Sequence, residues 1–452
     1  MSITSFLSIA RSALLTQQRA MNVTAQNIAN AQTPGYSRQR MLLVAATPLL
    51  SGGHSFGRGV ADGGIQRSRD SFYDATFRRE TGLFSQSDTL LGVLTQVEAA
   101  VHEPSQDGLA ASLDGLFNSF SELAADPTSP VARGAVVQAA SSLVGQFHRL
   151  DSELTQATQD AGVKMTHDVG EANRLAQVIG KLNGQILAAG ESGAPDLQDQ
   201  RDVAIDQLSN LVAVRVLPRT DGSLSVQSGN TLLVDGAQVQ SIGMTANPGG
   251  GFNLTAGGIA FDPQSGSLKA LADTTTTILP GIRAQLNTLA QSLVTEVNAV
   301  HRTGFTASGA TNVDFFDPAG VSAGNIQLSA AVAESSGEIA AGASSAPGDS
   351  AIALALGGLG RSPVGSLVGA TMRDFYVDLA GTVGSSVSDA ESNARSQQAL
   401  TERADLYRSS ISGVSVDEEM TSLIAQQQAY SAAARMVSIA DQMIQEVLQM
   451  VG

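Results

Sequence analysis

Residues Gly413–Gly452 read GVSVDEEMTSLIAQQQAYSAAARMVSIADQMIQEVLQMVG. No Pro or Gly falls between Val414 and Val451, and Ala, Gln, Met, Leu and Glu dominate. These residues lose little on entering a helix. The apolar positions Met420, Leu423, Tyr430, Ala434, Val437, Ile444, Leu448 and Val451 follow steps of three, four or seven. The spacing predicts one long helix with a narrow seam near the 3.5-residue period of a coiled coil. Gln427 and Asp441 interrupt the seam. Asp417, Glu418 and Glu419 open the helix, where its dipole favours negative charge.

A matching seam lies at the other end of the chain. Leu7, Leu14, Met21 and Ile28 recur every seven residues, interleaved with Ile3, Ala10, Gln17 and Thr24. The charges are complementary. No Asp or Glu precedes Asp62, whereas Arg11, Arg19, Arg38 and Arg40 do; the last helix is acidic apart from Arg435. Two arrangements fit this pattern. The termini pair in a coiled-coil-like fashion, or each amphipathic helix packs on its own local core.

Composition narrows the class. With 452 residues the chain exceeds what one core usually supports. Its hydrophobic fraction of 42% is enough for real cores, but aromatics make up only 4% and Trp is absent. Cores must then be built from Ala, Leu, Val and Ile. The net charge of −16 argues against nucleic acid as a partner. The absence of Cys excludes disulfides, thiolate metal sites and cysteine nucleophiles. No apolar run is long enough to insert in a membrane, and the N-terminus lacks a secretory signal pattern. Export, if it occurs, is expected to need no cleaved signal peptide.

In chain order, a helix from about Ser5 to Asn30 should stop at Thr33-Pro34-Gly35-Tyr36, because Pro34 disfavours helix at Thr33. Asn22, Gln26, Asn27 and Asn30 share one face of it. The segment 20–40, AMNVTAQNIANAQTPGYSRQR, resembles the N-terminal signature of the bacterial flagellar axial proteins, the family of rod, hook and hook-associated proteins. Asn27, Asn30, Thr33, Gly35 and Tyr36 match its N-x-x-N-x-x-T-x-G-Y pattern. The segment 412–444 is similar to the family's C-terminal signature.

Between the ends, Gly-punctuated strands predict a hairpin near 41–66, and helical spacing returns at 70–101 and 107–124. Residues 131–189 predict one or two long helices. Asp196-Leu197-Gln198-Asp199-Gln200-Arg201-Asp202 opens another helix. Asp199 and Asp202 flank Arg201 there, an ion-pair and capping pattern rather than a catalytic carboxylate pair, for no shaped pocket accompanies them. This segment, His301–Phe305 and Asp314–Asp317 are similar to the hook-associated members of the family. Two-residue periodicity over 214–261 predicts a small β unit, and helices return at 280–301 and 364–410.

The expected fold is mainly α with an inserted β domain: an elongated, nested, multidomain chain. Residues 1–40 plus 412–452 would form a terminal helical assembly domain. Residues 41–212, 276–304 and 351–411 would form the helical bundle, and 213–275 plus 305–350 the β-rich insert. The five His (His54, His102, His148, His167, His301) are scattered, and no phosphate loop or triad is recognisable. No enzyme activity, catalytic residue, cofactor or metal is expected.

The resemblance implies a structural subunit outside the cell, at the junction of hook and filament. It implies self-assembly in a ring or layer and contact with the hook protein and hook-associated protein 3. It also implies type III export with a cytoplasmic chaperone, for which the acidic last helix is the expected docking point. The assembly interface is expected at Leu7, Leu14, Met21, Ile28, Met420, Leu423, Tyr430, Val437, Ile444, Leu448 and Val451. The end signatures alone fit a hook or distal rod protein equally. An enzyme or adhesin displayed on the flagellum would need a defined pocket in the 214–350 insert.

Overall fold

Both ends of the chain are helical. The computed structural model describes residues 3–51, 54–101, 108–190, 194–247 and 250–451, with α1 at Ile3–Ala29 and α11 at Val416–Val451. Pro104, which follows the 70–101 helical spacing and disfavours helix at the residue before it, lies outside the described residues. Next to the terminal helices lie α2 (Ser71–Val101) and α10 (Met372–Ser412). These run antiparallel. The Tyr376 hydroxyl donates to the Val101 carbonyl at one end (3.0 Å), and the Tyr73 and Tyr407 rings lie 6.1 Å apart at the other. Thr371 caps α10 by accepting from the Asp374 amide.

The longest element is α4 (Pro130–Ala189), 60 residues in one helix. Its start is written locally: Ser129 accepts from the Ala132 amide, and Pro130 takes the first helical position, where a missing N–H costs nothing. At 1.5 Å per residue it reaches about 90 Å. That length lets it serve two cores. Its first half packs with α2, α3 (Leu109–Ala125), α7 (Leu279–His301), α9 (Ala351–Gly358) and the start of α10, burying Phe120, Phe147, Leu293 and Tyr376. Its second half packs with α5 (Pro195–Leu211), α6 (Ser267–Asp273) and the sheets, burying Met165, Ile179, Ile205, Val226 and Leu254.

All strand pairs are antiparallel. β5 (Arg215–Pro218), β6 (Leu224–Ser228), β7 (Thr231–Asp235) and β8 (Gln238–Val239) form a four-stranded meander; β9 (Ile242–Ala246), β10 (Phe252–Ala256) and β11 (Ile259–Ala260) form a three-stranded one. Near the N-terminus β1 (Gln39–Ala45) pairs with β4 (Val60–Arg67) in register Gln39↔Arg67, with a bulge between Met41 and Leu43. At the tip β2 (Leu49–Ser51) pairs with β3 (His54–Phe56). The chain is thus mainly helical with small sheets in its middle.

The expected boundary of the insert needs correction. Residues 305–350 do not share a core with the sheets. Phe315, Phe316, Ile326, Val332 and Ile339 are buried in the helical core beside α7 and α4. The buried Asn298 side chain holds this loop, accepting from the amides of Phe315 and Phe316 and donating to the Phe316 carbonyl. The segment's Ser/Ala/Gly composition resembles a loop, but its few aromatics suffice to anchor it. The helix predicted from 364 also begins later, at Met372, and α9 precedes it.

Candidate functional site

The terminal helices lie against each other. Gln426 Nε2 donates to Thr24 Oγ1 (3.1 Å), and Asn27 Nδ2 donates to Glu419 Oε2 (2.9 Å). Numbers rise along α1 as they fall along α11, so the pair is antiparallel. The fully buried positions are mostly small or polar: Ala10, Thr16, Ala20, Val23, Thr24 and Asn27 on α1, and Glu419, Ala433 and Ala440 on α11. Glu419, Gln426, Ala433 and Ala440 recur every seven residues. This row escaped a reading weighted by hydrophobicity.

The residues expected at the interface are less completely buried than these. Leu7, Leu14, Met21 and Ile28 on α1, and Leu423, Val437 and Ile444 on α11, are half-buried. Met420, Tyr430 and Leu448 are exposed, at 45%, 38% and 67%. The Val451 side chain lies outside the described residues. Small side chains let two helices approach closely, which pushes the larger apolar groups aside.

Asn27 is where these elements meet. Its amide nitrogen donates to Glu419 and to the Gln39 carbonyl (2.8 Å); its oxygen accepts from the Gln39 amide (2.9 Å) and the Tyr36 hydroxyl (2.9 Å). Both ends of the side chain are fully used. Burial, with the carboxylates of Asp196, Asp199 and Glu419 adding to it, holds the Tyr36 phenol well above its ordinary range, so it stays a donor. Asn30 accepts from Thr33 Oγ1 (3.2 Å), closing the turn. Gly35 has φ +79°, and a Cβ there would lie 2.1 Å from Val203 Cγ2 of α5. The N-x-x-N-x-x-T-x-G-Y residues therefore form a lock that seats the end of α1 on α5 and α11.

A charge network secures the lock to the helical body. Asp199 accepts from the Ser37 amide (3.0 Å), the Ser37 hydroxyl (2.6 Å) and Arg67 (2.6 Å). Asp202 pairs with Arg67 (2.8 Å), Arg69 (3.1 Å) and Arg78 (3.2 Å). Asp206 bridges Arg78 of α2 to Arg408 of α10 (2.6 and 2.7 Å). The α5 acids thus serve arginines from β4, α2 and α10, whereas Arg201 donates to Asn183 Oδ1 (2.9 Å). Burial alone would raise the Asp202 carboxyl. The guanidinium groups of Arg69, Arg78 and Arg67 outweigh it and hold the pKa at about 2.

The expected charge match between α1 and α11 is realised just past α1. Arg38 reaches Glu418 (2.9 Å) and Glu419 (2.7 Å), and its amide donates to the Ser412 carbonyl. Arg19 turns instead to Asp62 on β4 (2.6 Å). A cavity of 390 Å³ beside the lock is lined by Gln26, Asn30, Thr33, Gly35, Tyr36 and Asp196. Its Asp196 carboxylate is already engaged, accepting from Gln26 on the same wall and from Gln39 beyond it (3.3 and 2.9 Å). Among the described residues no His/Asp/Glu group could hold a metal ion, and no single helix is long and apolar enough to cross a membrane. His148 bonds the Ile326 carbonyl and His301 the Val313 carbonyl, so both act as structural ties.

Sequence alone singles out the motif residues and the Asp196–Asp202 start of α5. It missed Ser37, Gln39, Arg67, Arg69, Arg78 and Arg408, whose partners are far away in sequence. The one available signal was the density of Arg at 67, 69, 78 and 79 in a chain with few cations.

Comparisons with known proteins follow the same layout. Residues 94–316 match the flagellar hook-associated protein FlgK helical domain. Residues 7–36 match the flagella basal body rod protein family, and 408–450 the flagellar basal body rod FlgEFG protein C-terminal family. Flagellar hook-associated protein 1 of Bacillus subtilis is 30% identical over 99% of this chain and 98% of its own length. The protein of that name from Salmonella typhimurium is 29% identical over 70% of this chain and 59% of its own. The solved flagellar hook junction protein FlgK from Burkholderia pseudomallei shares the fold, with a TM-score of 0.67 over 75% of this chain and all of its own at 16% identity. The full-length match, with the family's terminal segments folded against each other at the lock, shows that this chain belongs to the flagellar hook-associated protein 1 family.

Proposed function

We propose that this chain is a structural subunit of the bacterial flagellum that joins hook to filament, assembling with copies of itself through α1 and α11. The observation that carries the reading is the unpaired apolar surface of those helices. Leu15 on α1, and Ile424, Ile439, Met443, Val447, Leu448 and Met450 on α11, are exposed, Met450 at 78%. A pair that buries its small residues and turns its large apolar ones to water is incomplete alone. Neighbouring copies in a ring or layer would cover that surface.

The other assignments rest on family membership. The protein works outside the cell, on the flagellum. Its neighbours are the hook protein on one side and hook-associated protein 3 on the other. It leaves the cytoplasm unfolded, without a cleaved signal, and an export chaperone holds the exposed face of α11. The terminal matches fit hook and rod proteins too; the match over 94–316 favours the junction. A structural role also accounts for His148 and His301, which tie loop carbonyls, and for Asp199, Asp202 and Asp206, which pair with arginines.

The test is deletion of the gene, with microscopy of the cells and assay of flagellin in the medium. Hooks without filaments, and flagellin shed into the medium, are the expected result. Absent hooks would move the protein to the hook or rod. Normal filaments would overturn the structural reading.

A further inference from the structure

Arg133 lies in the first turn of α4, remote in sequence from the terminal lock. It is buried, with 7% of its surface exposed. Nε donates to the Pro127 carbonyl (3.1 Å) and Nη1 to the Ile339 carbonyl (2.5 Å). Both acceptors are neutral. Among the described residues no carboxylate forms an ion pair with this guanidinium, and burial depresses its affinity for the proton with no counter-charge to oppose the effect. A cation at this end of a helix also faces the positive pole of the dipole. A buried charge in such a place calls for an anion.

There is room for one. Arg133 lines a cavity of 250 Å³ together with Thr128, Thr306, Ser344, Ser345 and Asp349. The one carboxylate on the wall is already engaged. Asp349 accepts from the Ser344 amide (2.9 Å), the Ser344 hydroxyl (2.7 Å) and the Ala351 amide (3.0 Å). Asp349 stays ionised, but among the described residues it makes no ion pair with Arg133, and the remaining wall offers hydroxyl groups and backbone around that guanidinium. We propose that this cavity binds a small oxyanion, a phosphate or carboxylate ion, with the Arg133 guanidinium as its counter-charge.

The structure supplies a reporter next door. His301 is buried, and its Nε2 accepts from the Ala340 amide (2.8 Å), adjacent to the Ile339 carbonyl that Arg133 holds. Burial, and to a lesser degree the Arg133 charge, keeps the imidazole below its ordinary pKa. An anion in the cavity offsets that charge, so the His301 titration moves up when the site fills.

The experiment titrates the full chain, labelled at histidine, with sodium phosphate and separately with sodium acetate. Ionic strength is held constant with chloride. A saturable shift of the His301 resonance and a rise in Tm, half-complete in the millimolar range, are expected. The tighter of the two ions identifies the chemistry of the site. Arg133→Gln should abolish both responses. Because that variant risks the local fold, Ser345→Glu provides the second arm, placing a tethered carboxylate on the exposed wall. It should weaken the response about tenfold and raise Tm without added ion. No saturable response to either ion in the wild type, or an undiminished one in Ser345→Glu, overturns the proposal.

Discussion

Two residues show how backbone and charge decide what composition cannot. Gly35 combines a left-handed backbone with contact against Val203, so any side chain is strained twice over. Gly35→Ala should lift the end of α1 from α5 and cost about 2 kcal/mol or more. Chemical denaturation would read the loss, and hydrogen exchange would place it at residues 27–39. Asp202 tests the charge network. Its folded-state pKa of about 2 lies below the ordinary carboxylate value. Its contribution is therefore complete above about pH 4 and is lost as pH falls towards 2, an effect of about 2 kcal/mol. Asp202→Asn leaves Arg67, Arg69 and Arg78 facing a neutral amide, and at neutral pH it should destabilise by about 3 kcal/mol. The wild type should lose more stability than the variant between pH 4 and 2 in parallel urea titrations.

Among elements, α4 does the most to unite the chain. One face passes from the helical core, ending near Ala157, to the sheet-covered core, beginning at Ala161. The exposed Gln159 lies between them. Gln159→Pro removes a backbone hydrogen bond and kinks the helix at a cost of about 3 kcal/mol, without touching either core. Calorimetry should show one main transition in the wild type and two in the variant. A single transition at lower temperature in the variant would mean that other contacts couple the cores. The period of α4 was legible because its buried positions are spaced for a helix. Its spacing leaves open one helix or two, and the structure shows one, unbroken from Pro130 to Ala189.

For the whole molecule, the nested order brings the two termini to one place. α1 and α11 meet, α2 and α10 run beside each other, and the sheets built from β5–β11 lie farthest along the chain from either end. Leu14→Asp with Ile444→Asp places carboxylates at half-buried positions of the terminal pair. The double variant should fail to support filaments, while the purified protein keeps the unfolding midpoint of its helical body. Filament assembly at the normal level would remove these positions from the interface.

Most of the helices, the β unit over 214–261, the absence of cysteine chemistry and the two terminal signatures were legible in the residues alone. These are local properties: spacing, caps, turn residues and residue type act within a few positions. The tertiary structure decided the rest. It buried small and polar residues of α1 and α11 most completely and left the larger apolar ones half-buried or exposed, because close approach favours small side chains. It drew 305–350 into the helical core through Asn298, Phe315 and Phe316. It also gave the acids of α5 to arginines on β4, α2 and α10. Each of those choices depends on which distant groups arrive at the same point, and no local pattern encodes that.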